Sequence, residues 1–176
     1  MKRIILAMTM IMTLMTTSIS ATPLDKMYPT MIHRYIDDTS DITTINLRNG
    51  EVFNTGDSYT DGMGLGSFTA ENFIGKVLFV YGEIKDIEDQ QMYVLICNYN
   101  ADGSVGDIIF SADLYEKDVQ LHNDDLIAFN LSNSKYNKLV EACKAGDVLV
   151  FYVNDEIFAI SSLTGFTKAY KNPVKQ

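Results

Sequence analysis

The sequence predicts a mainly β protein: a five-stranded Greek-key barrel with one helix between its third and fourth strands, preceded by an N-terminal extension with a β-hairpin. Three observations carry this. From residue 76 onward, apolar runs of strand length alternate with turn residues. One segment, 134–146, carries a helical stripe. Residues 21–66 differ in character from the remainder of the chain. The 176 residues are 47% hydrophobic and 21% charged, with 11 Gly, 3 Pro, 2 Cys and no Trp. That balance excludes collagen, low-complexity disorder and a disulfide-dense miniprotein, and the length suits one domain with an extension.

In chain order, residues 1–20 begin Met1-Lys2-Arg3, run through an apolar stretch from Ile4 to Met15 and end in small and polar residues including Ser18 and Ser20. This is the tripartite pattern of a secretory signal peptide, with cleavage expected after Ser20 or Ala21. The apolar run is too short to span a bilayer comfortably and is interrupted by Thr, so no stable membrane anchor is expected after cleavage. No Cys stands near the cleavage site, which speaks against lipoprotein attachment. Residues 21–66 form the extension. Pro23, Pro29 and the polar run from Asp37 to Asp41 suggest an extended, loosely structured lead-in. Ile45 and Leu47 then alternate with polar residues, Asn49-Gly50 is a type I′ turn signal, and Val52 and Phe53 open the return strand of a small hairpin. A glycine-rich loop from Gly56 to Gly66 comes next.

The domain proper is expected over 67–170, with 171–176 as a tail. Ser67 to Lys76 reads as a helical turn or two closed by Gly75. A long first strand runs from Lys76 to Ile87, with Leu78, Val80, Ile84 and Ile87 inward and Gly82 as a bulge or bend. Residues 92–99 make the second strand, 100–103 a turn and 107–114 a third strand in hairpin with the second. Residues 115–131 are polar at first, and the stretch from Leu126 reads as either a short strand or the anchor of a loop. Ser134 can cap the helix; Tyr136, Leu139, Val140 and Cys143 recur at i, i+3, i+4 and i+7; Gly146 sits where a left-handed C-terminal cap is wanted. Strands at 147–153 and 158–166 complete the set. Strand, strand, strand, helix, strand, strand is the order of an OB-fold barrel.

The run from Gly75-Lys76 through Val80 and Gly82 to Ile84 and Ile87, and the junction from Leu139 through Cys143 to Gly146-Asp147 and Val153, resemble small bacterial exported OB-fold proteins of the tRNA-anti-like group. The resemblance covers about residues 70–167. It departs at Tyr152, where the group usually carries glycine. It implies a barrel that serves as a binding or accessory domain, and it brings no catalytic residues.

Removing residues 1–20 takes away Lys2 and Arg3 and no acid, so the formal net charge moves from -9 to -11. An exported protein of that charge, periplasmic or secreted, repels phosphate backbones, so nucleic acid is not an expected partner; a cationic protein is. Cys97 and Cys143, 46 positions apart, either pair, which the chain-entropy model values at about 4 kcal/mol, or remain two buried thiols that pack as small hydrophobes. There is no CxxC redox motif.

Other chemistry finds little support. Gly62 to Gly66 lacks the Gly-Lys-Ser/Thr ending of a phosphate loop. Asp57, Asp61 and Gly62, and likewise Asn98, Asn100, Asp102 and Gly103, have part of the spacing of a calcium loop but lack the Glu at the twelfth position, where Phe68 and Ile109 stand. His33 and His122 share no zinc spacing, and no nucleophile elbow is present. Adjacent carboxylates such as Asp124-Asp125 and Glu88-Asp89 read as solvated surface. No metal or cofactor is expected, and the reading is non-enzymatic.

One feature exceeds what a barrel requires. With Leu78 and Val80 inward, Phe79 and Tyr81 point outward; on the second strand both alternate sets, Val94 and Ile96 against Tyr93, Leu95 and Cys97, are apolar. Such strands need a layer on both faces. The lead-in hairpin, with Tyr35, Ile45, Leu47 and Phe53, is one cover; a partner, or a second copy in a homo-oligomer, is the other. The leading functional expectation is recognition of a basic protein, as an envelope component or as a toxin or lytic enzyme to be neutralised. The alternative is an oligosaccharide or small-molecule barrel that stacks its ligand on Phe79, Tyr81, Tyr93, Tyr99 and Phe110.

Overall fold

The computed structural model describes residues 31–36, 40–46, 50–51, 58–59, 62–70, 73–100 and 105–175. The predicted signal peptide, the lead-in prolines Pro23 and Pro29, the hairpin residues Leu47, Asn49, Val52 and Phe53, and residues 101–103 of the predicted turn lie outside them. The protein is mainly β, with two antiparallel sheets and few helices. The strands are β1 (Met31–Ile36), β2 (Ser40–Asn46), β3 (Gly50–Glu51), β4 (Ser58–Tyr59), β5 (Met63–Ala70), β6 (Phe73–Tyr81), β7 (Met92–Tyr99), β8 (Val105–Leu114), β9 (Val119–Asn123) and β10 (Leu126–Leu131). Helix α1 (Asn133–Ala145), β11 (Val148–Val153), β12 (Glu156–Ser162), helix α2 (Phe166–Lys171) and β13 (Val174–Lys175) complete the chain order. Short 3-10 turns at Ile87–Asp89 and Glu116–Asp118 precede β7 and β9.

The larger sheet has the order β13-β1-β2-β5-β6-β10-β9 and the smaller β12-β11-β7-β8. All pairings within them are antiparallel except the two-residue β1–β13 contact. The closed five-stranded barrel is therefore corrected. The segment expected as its first strand, β6, pairs with β5 and β10, whereas β7 pairs with β8 and β11, so Val80 and Val150 belong to different sheets. The reason lies in the partners available to β6. The end of the extension and the first residues after it supply β5 on one side, and the stretch from Leu126 supplies β10 on the other.

The two sheets and α1 share one core. Met63, Leu65, Leu78, Val80, Ile127 and Phe129 enter it from the larger sheet, and Val94, Ile96, Leu149, Phe151 and Ala159 from the smaller. The α1 stripe of Tyr136, Leu139, Val140 and Cys143 joins them as its spacing predicts. Each large apolar side chain buried this way contributes about 1.5–3 kcal/mol. The inward set predicted for 76–87 also holds: Leu78, Val80 and Ile84 are buried and Ile87 packs against the core. The smaller sheet is buried on its second face as well, through Leu95, Cys97, Val150, Tyr152 and Ile160.

Several local expectations are replaced. Of the loop expected from Gly56 to Gly66, residues 63–66 are strand: Met63 and Leu65 pair with Val80 and Leu78 and point into the core, so Gly64 and Gly66 fall on the opposite face, where Gly64 lies against Phe79. The helical turn at 67–76 is the continuation of that hairpin, with Thr69 opposite Ile74 and Ala70 opposite Phe73. β2 pairs with β1 and β5, and Gly50 pairs with Tyr59, so the hairpin expected across Asn49-Gly50 does not join Ile45 to a return strand. Ser132 caps α1, its Oγ accepting from the Lys135 amide at 3.2 Å, in place of Ser134. Gly146 is extended at φ -97°, and it is glycine for space: a Cβ there would stand 2.3 Å from Ile96 Cγ2. The last strand ends at Ser162, and the expected tail contributes β13, paired with β1. Gly82, at φ 121°, makes the expected bend after β6, its amide donating to the Asp125 carbonyl at 2.8 Å.

Candidate functional site

A cleft of about 350 Å³ opens where β7 begins and β8 ends. Its floor is apolar, made of Met92 and Leu114, both buried, with Ile87 beside them. Its rim is polar: Glu88, Gln90 and Gln91 lead into β7, and Asp113, Tyr115, Glu116 and Lys117 lead out of β8. The register explains the position. Met92 pairs with Leu114 and Tyr93 with Asp113, so the two 3-10 turns at the ends of this pair face each other across the opening.

The walls are braced from neighbouring elements. Asn154, in a left-handed conformation at φ 52° in the β11–β12 turn, accepts from the Gln91 amide at 3.0 Å and donates to the Gln90 side chain. On the other wall, Tyr115 hydroxyl lies 3.4 Å from Asp113 Oδ2, the Tyr115 amide donates to Asp118 Oδ2, and Lys135 of α1 donates to the Asp113 carbonyl at 2.9 Å. Lys135 also stands 4.0 Å from Asp118. Tyr115 remains 49% exposed, with Lys117 Nζ 5.0 Å from its ring centroid.

This end of the smaller sheet gathers acids. Asp86, Glu88 and Asp89 come from the first turn and its cap, Asp113 from the end of β8, Glu116 and Asp118 from the second turn, Asp155 from the β11–β12 turn and Glu156 from the start of β12. Asp155 is partly spoken for: it accepts from the Tyr93 hydroxyl at 2.9 Å. Burial first, then that hydrogen bond and the charges of Asp155 and Asp113, hold the Tyr93 phenol well above its ordinary value. An apolar floor, an exposed aromatic ring and a carboxylate rim can seat a cationic side chain with an aliphatic stem.

The aromatic residues singled out in the sequence are not assembled into one surface. Tyr93 is buried at 6% exposure and stacks on Tyr152 at 4.8 Å. Phe110 turns to the opposite face of the same sheet and packs against the core. Phe79 is half-buried and Tyr81 36% exposed, both on β6 of the larger sheet. The Tyr99 side chain lies outside the described residues. Cys97 and Cys143 are free, because they sit on opposite faces of the smaller sheet, Cys143 in the core and Cys97 on the face with Tyr93 and Tyr152. Burial pushes the Cys97 thiol up to about 11 and Cys143 higher, so neither is a thiolate at neutral pH.

His122 Nε2 donates to the Ile84 carbonyl at 2.8 Å, while the His33 side chain lies outside the described residues. Among the described residues no group of His, Cys, Asp and Glu is placed to hold a metal ion, and no helix is long and apolar enough to cross a membrane. Sequence reasoning missed the cleft because its second wall falls in 115–118, part of an unassigned stretch. The available signal was an aromatic residue among Asp113, Glu116 and Asp118. Compared with models of known families, with curated proteins and with solved structures, the chain matches none.

Proposed function

We propose that this is an exported, non-enzymatic binding protein, periplasmic or secreted, that recognises a basic protein. The partner is an envelope component or a toxin or lytic enzyme that the protein neutralises. The observation that carries this reading is the cleft between the turns at Ile87–Asp89 and Glu116–Asp118, with Met92 and Leu114 below and Glu88, Asp113, Glu116 and the open Tyr115 ring around it. Net charge supports it: the chain carries -9, and attraction of that sign steers a cationic partner toward the acidic end. The leader-like pattern of residues 1–20 supports export. The glycan reading draws less support, since Tyr93 and Phe110 face opposite sides of one sheet and offer no common stacking platform.

The test is kinetic. The immobilised protein is challenged with a basic protein captured from envelope extract, at salt from about 0.05 M to about 0.5 M, across which the screening length falls roughly threefold. Steering by the acidic end predicts an association rate that drops about tenfold or more over this range, with a smaller change in dissociation. An association rate indifferent to salt contradicts the reading.

A further inference from the structure

A second depression lies along the same strand as the acidic cleft. A groove of about 540 Å³ separates β8 from α1, lined by Ile109 and Phe110 on the strand and by Lys138, Glu141, Ala142 and Ala145 on the helix. Ile109 is 37% exposed for a definite reason. Phe110 pairs with Ile96 and Ile108 with Cys97, which leaves Ile109 with no residue opposite, a bulge that turns its side chain out of the ladder. β8 is the last strand of its sheet, yet its edge is guarded. The bulge breaks the repeat of its main-chain groups, and Lys135 already occupies the Asp113 carbonyl. A ligand along this edge is therefore held by side chains and not by an added strand.

We propose that the furrow between β8 and α1 takes an extended segment of a basic partner, with one apolar or aromatic side chain in the groove and a Lys or Arg in the acidic cleft. The inference rests on the reading of the cleft as a site for basic protein and adds the shape of what it binds. Phe110 and Tyr115 are five residues apart, a span on the order of 15 Å at about 3.3 Å per residue, so an extended peptide meets both depressions with anchors about five residues apart. Charge selects the occupant. The groove is close to neutral, with Lys138 and Glu141 both lining it and Glu141 paired with Lys144 at 2.6 Å, whereas the cleft is acidic, and a second copy of a chain carrying -9 would bring acid against acid.

The test uses synthetic peptides of about twelve residues on a Gly/Ser background, titrated into the intact chain. One carries Phe and Arg about five positions apart, one has Phe replaced by Ser, one has Arg replaced by Ser, and one keeps both anchors side by side. The properly spaced peptide is expected to bind about tenfold tighter than each of the others, the effect of one modest apolar or charged anchor. Ala145→Glu, at an exposed position of α1, is expected to erase the advantage conferred by Phe alone, and Glu116→Lys that conferred by Arg alone. Ile109→Ser repeats the groove test from the strand side, with circular dichroism confirming the fold of each variant. Equal binding of the spaced and adjacent peptides, or indifference to both groove variants, overturns the furrow; retained Arg dependence in that case leaves the cleft reading standing. Loss of Arg dependence altogether overturns both. A groove variant that changes only the oligomeric state identifies a self-interface and likewise overturns the furrow.

Discussion

Tyr170 and Tyr115 are both tyrosines with a cation over the ring, and the two sites differ in where their partners come from. Tyr170 on α2 has Arg34 of β1 at 3.8 Å and Lys144 of α1 at 4.6 Å from its centroid, stacks on Phe166, and receives an Arg34 hydrogen bond at its carbonyl. Three elements distant in sequence meet there. Among the described residues the cation over Tyr115 is Lys117, two residues along, and Tyr115 is 49% exposed beside a cleft. The first cluster closes on itself and docks the C-terminal helix; the second, although Lys135 of α1 braces Asp113 and Asp118, leaves Tyr115, Glu88 and Glu116 exposed. The same chemistry is a joint where long-range partners cover the ring and a candidate site where the tyrosine stays exposed.

The comparison is tested most severely at the joint. Phe166→Ala removes a buried ring that packs on Tyr170 and the core, and chemical denaturation is expected to show a loss of about 3–5 kcal/mol. Arg34→Met keeps most of the stem but removes the cation and the hydrogen bond to the Tyr170 carbonyl, for a loss of about 1–2 kcal/mol. Limited trypsin digestion should then cut earlier at Lys168 and Lys171; an unchanged digestion pattern would separate α2 docking from this contact.

A third expectation concerns pH and the buried second face of the smaller sheet. Burial raises Cys97 from 9.0 to about 11 and holds Tyr93 and Tyr152 above their ordinary values. In the unfolded chain these groups lose their protons nearer the ordinary values, so above them the unfolded state binds fewer protons and stability falls as pH rises. Their contribution is complete below about pH 8 and is lost progressively as pH climbs through 9.0 toward about 11. A melting temperature that stays level from neutral pH into that range would contradict the packing described for this face. The smallest effect on stability belongs to the open cluster: Glu88→Gln with Glu116→Gln should leave the denaturation midpoint unchanged and slow association with a basic protein at low salt.

The sequence made legible whatever depends on near neighbours. The α1 stripe, the β7–β8 hairpin and the apolar β11 are set by spacing alone, and the structure has each of them. Sheet membership is not set by spacing, because β6 has the same pattern whether its neighbour is β7 or β5. β5 was hidden for a local reason: Gly64 and Gly66 alternate with Met63 and Leu65, so the first half of its outer face has no side chains to display an alternation. β10 was hidden because Ile127, Ala128 and Phe129 are all buried, so a central strand resembles an apolar anchor. The acids of the cleft were visible one by one as surface residues. Their convergence depends on the pairing of Met92 with Leu114 and on Asn154 bracing Gln90 and Gln91, contacts between residues more than 20 positions apart.

The central claim, that the acidic end of the smaller sheet is the binding surface, is tested most directly by titrating the isotope-labelled protein with an oligolysine peptide and following its amide resonances. The account predicts that shifts concentrate at Ile87–Asp89 and from Asp113 to Asp118, diminish with Glu88→Gln and Glu116→Gln, and leave the surroundings of Tyr170 unmoved. Shifts spread evenly over all exposed acids, Asp124 and Asp125 included, or centred elsewhere, would contradict it.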